Sequence, residues 1–337
     1  MNRLLIVGAG ASLEECKQSG NYPNDPERYL PSIKNFCGKL FQRDSEILLQ
    51  VTSSYLDKLG MKYDSKLINL KPGDSFSSDD MEKSPIGIFL KLESQSPEEH
   101  NIERLCEYVW VTFGASIQLW EAFIYAGIYL HLFTLFTRQF GLGIGVPMLA
   151  GRRVANQLTS SDVVLNLNYD IAFDLALKQS GKNICYAPDL RENAISILKP
   201  HGSFNFYVNL VNGNCYFEEP DRIHGSVSIP DPSGGFFSPH GGIVPPRLNK
   251  SYIHHPGAEI ILDTCRPFLP KIVTFWGVGL TDSDVDLLSI YREAATSAEI
   301  IEFINPAMEA HQKAEKLLNR EIAFFATLDQ WLEKYGL

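Results

Sequence analysis

Residues Ser161–Asp174 read SDVVLNLNYDIAFD. Val163 to Leu167 is an apolar run of strand length, and it ends in a polar tip of Asn168, Tyr169 and Asp170. A helical pattern opens immediately afterwards with Ile171 and Phe173. In an open α/β sheet, ligands sit outside the carboxyl ends of the strands, where strand order reverses. An amide and a carboxylate two residues apart at such an end either handle a small molecule or cap the next helix. Three other stretches favour the first reading. They are VGAGAS at Val7–Ser12, KPHGSFNF at Lys199–Phe206 and WGVGLTDSDVD at Trp276–Asp286.

Working outward, Arg3–Val7 is a strand that Gly8, Ala9 and Gly10 turn into a helix, with Ser12 placed to cap it or line its start. Glycine lets the backbone approach a pyrophosphate, and the helix dipole favours its negative charge. The fingerprint is incomplete, because Leu13 stands where the third glycine of GxGxxG belongs. A polar loop follows at Ser19–Ser32. Asp44–Gly60 then turns helical, with Ile47, Leu48, Val51, Tyr55 and Leu56 near one face. Lys71–Pro85 reads as an exposed loop, and helices are expected at Pro97–Ala115 and Met148–Leu158, the latter after a break at Gly141–Pro147.

Beyond Asp170 the pattern gives a helix to about Lys178, strands at Asn183–Pro188 and Ile195–Leu198, and a turn carrying His201 and Gly202. Histidine titrates near neutrality, so at a strand end His201 either accepts a proton or is held by backbone groups. Phe204–Gly242 is rich in aromatic, Gly, Ser and Pro residues and reads as hairpins or long loops, with no role for His240. A strand is expected at Ile243–Lys250 and a helix at Ala258–Phe268. His254 and His255 are adjacent and, if extended, point to opposite faces, which speaks against a shared metal site. Ile272–Trp276 is a second buried strand, with a Gly277–Gly279 turn and a helix capped by Asp282 or Ser283. Such a corner binds anions, although Asp284 and Asp286 also suit a first helical turn. Glu299–Pro306 is a further strand. Its Asn305 either bonds a ribose hydroxyl or begins the turn that Pro306 continues, and a helix and an amphipathic tail containing Trp331 end the chain.

The expected fold is therefore a Rossmann-like, mostly parallel sheet flanked by helices, built from residues 1–43 and 159–337, with a large helical insertion at 44–158. Glu103 and His131 within the insertion read as structural: a first-turn acid and a core histidine. The chain has 337 residues, 45% hydrophobic and 21% charged, enough for a sizeable core. Its formal charge of −10 argues against direct nucleic-acid binding, which needs basic surface. Six cysteines without a CxxC pair exclude the usual structural zinc spacing. MNRLLIVGAG has too short an apolar run for a secretory signal, so a cytoplasmic setting is expected. The apolar stretch Leu119–Gly141 is interrupted by Glu121, His131 and Arg138, and burial is expected over membrane spanning.

As an ordered set, GAGAS, LNYD, HGS, WGVGLTDSD and INP resemble the sirtuin-like superfamily, in particular its zinc-free bacterial branch of NAD-consuming proteins. The resemblance covers residues 1 to about 42 and 160–306. Tyr169 stands where the protein deacylases generally carry Ile, and the four zinc cysteines of those enzymes are lacking. The resemblance implies NAD as substrate, no metal, and cleavage of the nicotinamide–ribose bond to nicotinamide and ADP-ribose. It implies catalytic roles for Asn168, His201 and Asp170. Gly8, Ala9, Gly10, Ser12, Gly277, Gly279, Leu280, Asp284 and Asn305 would hold the dinucleotide. It further implies an effector of bacterial antiphage defence, working as a homo-oligomer or with a partner protein that senses infection. Two other readings stand beside it: a noncatalytic NAD or ADP-ribose sensor that regulates a partner, and a deacylase or ADP-ribosyltransferase.

Overall fold

Leu4, Leu5, Ile6 and Val7 have no solvent exposure, so the first strand is buried on both faces, as the central strands of parallel sheets are. The computed structural model describes residues 2–31, 35–41, 45–69, 77–114, 117–141, 145–209, 211–223, 228–238, 242–245, 258–265, 268–280 and 284–336. Its strands are β1 (Arg3–Val7), β2 (Val163–Asn166), β3 (Ile184–Tyr186), β4 (Ile195–Leu198), β5 (Phe206–Val208) and β6 (Cys215–Phe217). They continue with β7 (Ile229–Pro230), β8 (Phe236–Phe237), β9 (Ile272–Trp276), β10 (Ile300–Ile304) and β11 (Ala323–Phe325). Seven of them form one sheet in the order β11-β10-β9-β1-β2-β4-β3, every pair parallel. The fold class is thus the expected Rossmann-like α/β sheet. β5–β6 and β7–β8 are separate antiparallel hairpins, within the stretch where hairpins are expected.

The helices are α1 (Ala9–Ser19), α2 (Phe36–Leu40), α3 (Glu46–Lys58), α4 (Ser78–Lys83), α5 (Pro85–Gln95), α6 (Ile102–Phe113), α7 (Ile117–Ala122) and α8 (Leu130–Phe140). They are followed by α9 (Leu149–Ala155), α10 (Ala172–Gln179), α11 (Ala258–Cys265), α12 (Val285–Ser297), α13 (Met308–Leu318) and α14 (Leu328–Lys334). The chain divides into two compact units, residues 1–30, 135–244 and 250–337 in one, and 31–134 with 245–249 in the other.

In the sheet unit, β1 lies between β9 and β2, so the chain leaves β1 toward one edge and later returns to build the other. Strand order reverses there, which opens a crevice at the carboxyl ends. The ends lie level: Val7 pairs with both Asn166 and Trp276, and Trp276 with Ile304. Ile6, Leu165, Leu198, Phe275 and Phe303 join Leu287 and Tyr291 of α12 in one buried cluster. Each fully buried side chain of this size contributes about 1.5–3 kcal/mol.

In the helical unit, Tyr55 of α3 meets Phe89 of α5 and Tyr108 of α6 edge-on, at 5.5 and 5.3 Å between ring centroids. Leu48, Val51, Tyr55 and Leu56 are buried as expected, while Ile47 is half-exposed. A π-helical segment, Phe123–Tyr129, joins α7 to α8. The helix Leu119–Phe140 is 22 residues long with a mean hydropathy of 1.4, enough by length and composition to cross a membrane. Within this unit Phe123, Ile124, Ile128 and Leu132 are buried along it at helical spacing.

Several local expectations are corrected. Lys71–Pro85 is not all loop: Ser77 and Asp80 form a capping box for α4, and Pro85 takes the first position of α5, itself unexpected. The tail after Ala307 holds a strand, β11, too short for a periodic signal, which adds to the sheet beside β10. Of the strand expected at Ile243–Lys250, Ile243 forms an isolated bridge to Gly202, and residues 246–250 lie outside the described residues. His240, His254, His255, Asp282 and Ser283 also lie outside them.

Candidate functional site

Each site residue read from the sequence lies at or just after the carboxyl end of β1, β2, β4, β9 or β10, or in the helix that follows. Gly8 is the N-cap of α1, so Ser12 lies inside the helix and is no cap. The glycines serve a backbone contact between two strand ends. Gly8 N–H donates to Trp276 O (2.9 Å) and Gly10 N–H to Gly277 O (2.8 Å). Gly277 has φ of +63°, and a Cβ there would lie 2.2 Å from Ala11 N, so only glycine suits it. Ala11 N–H turns back to Gly8 O (2.9 Å). The Ala9 N–H has no acceptor among the described residues. Beside Gly279 an added Cβ would meet no atom among the described residues, and Leu280 is buried.

Asn168 and Asp170 are both buried. Asn168 Nδ2 donates to Gly8 O and to Ser12 Oγ, each at 2.9 Å. Ser12 Oγ in turn donates to Asp170 Oδ2 (2.8 Å), and Asp170 Oδ1 accepts from Ala172 N–H (3.0 Å). Asp170 therefore does enter the next helix as an acceptor, and it reaches Asn168 through Ser12. Burial pushes its carboxyl above the ordinary value, while the Lys199 charge, the Ala172 N–H and the Ser12 hydroxyl pull it back. With Nδ2 engaged twice, Asn168 Oδ1 is the atom of this amide that accepts no bond among the described residues.

His201 follows β4 in a turn closed by Gly202 N–H to Lys199 O (2.9 Å), with Gly202 at φ of +79°. Its Nδ1 lies 2.9 Å from Leu167 O, the carbonyl just before Asn168. A carbonyl only accepts, so Nδ1 carries the proton and the lone pair of the neutral ring is on Nε2. Nε2 lies 3.9 Å from Asp284 Oδ1, at the start of α12. The amide and the imidazole, from strands β2 and β4, are thus one backbone carbonyl apart. Asn305 sits at the end of β10 with its amide engaged: Nδ2 donates to Val278 O (3.1 Å) and Oδ1 accepts from Ala307 N–H (2.9 Å). In this conformation it begins the turn that Pro306 continues.

Sequence reasoning missed a polar group directly behind these residues. Asp174, Lys199 and Asn166 have no solvent exposure, and Tyr186 is buried with them. Asp174 and Asn166 both lie in the opening stretch, as polar residues interrupting apolar runs, which is the signal that could have found them. Glu15 was missed as well. It is 2% exposed, accepts from Ala150 and Gly151 N–H (3.3 and 2.6 Å), and so caps α9. Burial pushes its carboxyl up. Ala11, Ser12, Glu15, Ala172, Phe173 and Trp276 line a cavity of about 10 Å³, room for about one water molecule. No group of three or more His, Cys, Asp or Glu side chains suited to a metal occurs among the described residues.

No family model matches this chain, and no curated protein matches it. Among solved structures it is similar to a Sir2 homologue mutant in complex with 2'-O-acetyl ADP ribose, at 12% identity over 94% of this chain and 90% of that one, with a TM-score of 0.40. A Sir2 homologue mutant–ADP ribose complex gives 11% identity over 94% and 90%, with a TM-score of 0.37. A Sir2 homologue–NAD complex gives 10% over 94% and 88%, also at 0.37. With TM-scores below 0.5, these likenesses decide nothing about what this chain binds or does.

Proposed function

We propose that this protein binds NAD and hydrolyses its nicotinamide–ribose bond, releasing nicotinamide and ADP-ribose. The observation that carries the reading is the bond from His201 Nδ1 to Leu167 O. It fixes the tautomer, leaves Nε2 as a base, and sets the ring beside Asn168 at a strand-order reversal. The bond to nicotinamide breaks through a cation-like sugar, as in glycoside hydrolysis. The bonding pair leaves with the ring nitrogen and gives neutral nicotinamide. Water adds to the ribose carbon, and its proton passes to His201 Nε2, a role worth roughly 10²–10⁴-fold. Asn168 Oδ1 orients that water or the ribose hydroxyl. Asp170 holds Ser12, and through it Asn168, and adds negative potential near the cation. The glycine corners, the Ala9 N–H, Ser12, Leu280, Asp284 and Asn305 hold the rest of the dinucleotide, with Asn305 giving up its turn contacts to do so. Antiphage defence by NAD depletion in the cytoplasm, in a homo-oligomer or with a partner protein, belongs to the same proposal and rests on the motif resemblance alone.

A second reading, a noncatalytic sensor of NAD or ADP-ribose, draws on Asp284. Its carboxylate lies 3.9 Å from His201 Nε2, the atom that hydrolysis needs turned toward water. Purified protein incubated with NAD at several protein concentrations, with free nicotinamide measured by mass spectrometry, separates the two. Hydrolysis predicts release by the wild type, abolished in Asn168→Ala and His201→Ala while both stay folded. Unchanged turnover in both variants refutes it. Binding of NAD with no release at any concentration favours the sensor.

A further inference from the structure

We propose that Lys199 is a positioning residue that couples the catalytic imidazole to the catalytic amide, through a buried ion pair with Asp174. The proposal rests on the hydrolase reading above and deepens it. Lys199 Nζ donates to Asp170 O (2.7 Å) and to Asp174 Oδ2 (3.3 Å). Asp174 Oδ2 also accepts from Tyr186 OH (2.9 Å), and its Oδ1 from Asn166 Nδ2 (2.8 Å). Asn166 Oδ1 then accepts from Asn168 N–H (3.1 Å). The group therefore grips the Asn168–Asp170 turn at both ends, by the N–H of its first residue and the carbonyl of its last. The same lysine accepts the Gly202 N–H at its own carbonyl, which closes the turn that carries His201.

Four elements meet here: the ends of β2, β3 and β4, and α10. Both charges are fully buried, which is expensive in desolvation. An apolar pair of equal volume is often as stable, so what the ion pair contributes is one defined geometry. The site depends on that geometry, because Asn168 Oδ1 and His201 Nε2 must face the same sugar. A misplacement of about 1 Å at a reacting group costs roughly 10²-fold in rate.

The test uses the full chain as Lys199→Met and as the milder Tyr186→Phe, which deletes one donor to Asp174 and keeps the ring stacked 4.5 Å from Phe217. Amide hydrogen exchange is read at Asn168 and Ala172, with β9 as the reference, alongside nicotinamide release from NAD. The expected result for Lys199→Met is β9 protected as in wild type. Exchange at Asn168 and Ala172 should be at least about 10-fold faster, the worth of one hydrogen bond to a charged group. The kcat should fall roughly 10²-fold with KM little changed. Tyr186→Phe should fall between. Wild-type exchange at Asn168 and Ala172 in folded Lys199→Met overturns the proposal. So does a loss of protection equal in β9 and in the turn for both variants, since that is lost stability without positioning. If the wild type releases no nicotinamide, the hydrolase reading falls separately, and the exchange measurement alone still supports or overturns the clamp.

Discussion

Replacing Gly277 by Ala tests the junction on which the site is built. Gly277 lies between β9 and the start of α1 with φ of +63°, and an added Cβ would lie 2.2 Å from Ala11 N and 2.5 Å from Gly10 C. Both obstacles are backbone, so no side chain can swing aside. Holding Ala in the left-handed region costs about 1–2 kcal/mol. Forcing a methyl group into a filled space costs about 1–3 kcal/mol more. A loss of about 2–5 kcal/mol follows for Gly277→Ala. It should appear as faster exchange of the β1 and β9 amides, which report the sheet unit directly. The loss should reach the site, because parting α1 from Gly277 moves Gly8 O, to which Asn168 Nδ2 is bonded. Gly279→Ala is the paired control. No described residue lies within 4 Å of its added Cβ, so stability should change by less than about 0.5 kcal/mol. If the dinucleotide passes that point, NAD affinity measured by calorimetry should fall. Gly277→Ala as stable as wild type, or Gly279→Ala equally damaged, would refute the account of this corner.

Glu302 sits unexposed in β10, where Thr274, Trp331, Lys334 and Tyr335 donate to its carboxylate at 2.6–2.9 Å. Burial acts to raise its pKa, but these four bonds outweigh it and hold the group below the ordinary value. The carboxylate's stabilisation is therefore complete above the ordinary Glu value of about 4.3 and is lost as pH falls through the lower, folded value. Glu302→Gln should cost about 3 kcal/mol at neutral pH, and its melting curve should approach the wild type's in acid. A gap that does not narrow between about pH 6 and pH 3 contradicts this. Glu15→Ala leaves the Ala150 and Gly151 N–H groups without their acceptor, and should cost about 2 kcal/mol with faster exchange confined to α9 and its neighbours. Glu15→Gln keeps one acceptor oxygen and should lose less, which denaturation midpoints would show.

Much of the sheet was legible because β1, β2, β4, β9 and β10 are apolar runs that stop at a glycine or a polar tip, and both signals are local. The candidate site was legible for the same reason, since its residues are the tips themselves. β11 was not, because three residues carry no period. α4 and α5 were hidden by the Ser, Asp and Pro residues that begin them, which read equally as loop. Lys199 and Asp174 stood inside the quoted stretches, but nothing local said that they face each other.

The residue pattern by itself determined a parallel α/β sheet with polar groups at its carboxyl ends, because burial on two faces demands continuous apolar strands. It also determined which tips bear an amide, a carboxylate and an imidazole. Tertiary structure alone decided which of those groups meet. Asn168 finds Gly8 across 160 positions of chain, His201 finds Leu167 across 34, and Gly10 spends its N–H on Gly277. A hydrogen bond is a matter of a few tenths of an ångström and an angle, and those are set by the packing of strands distant in the chain.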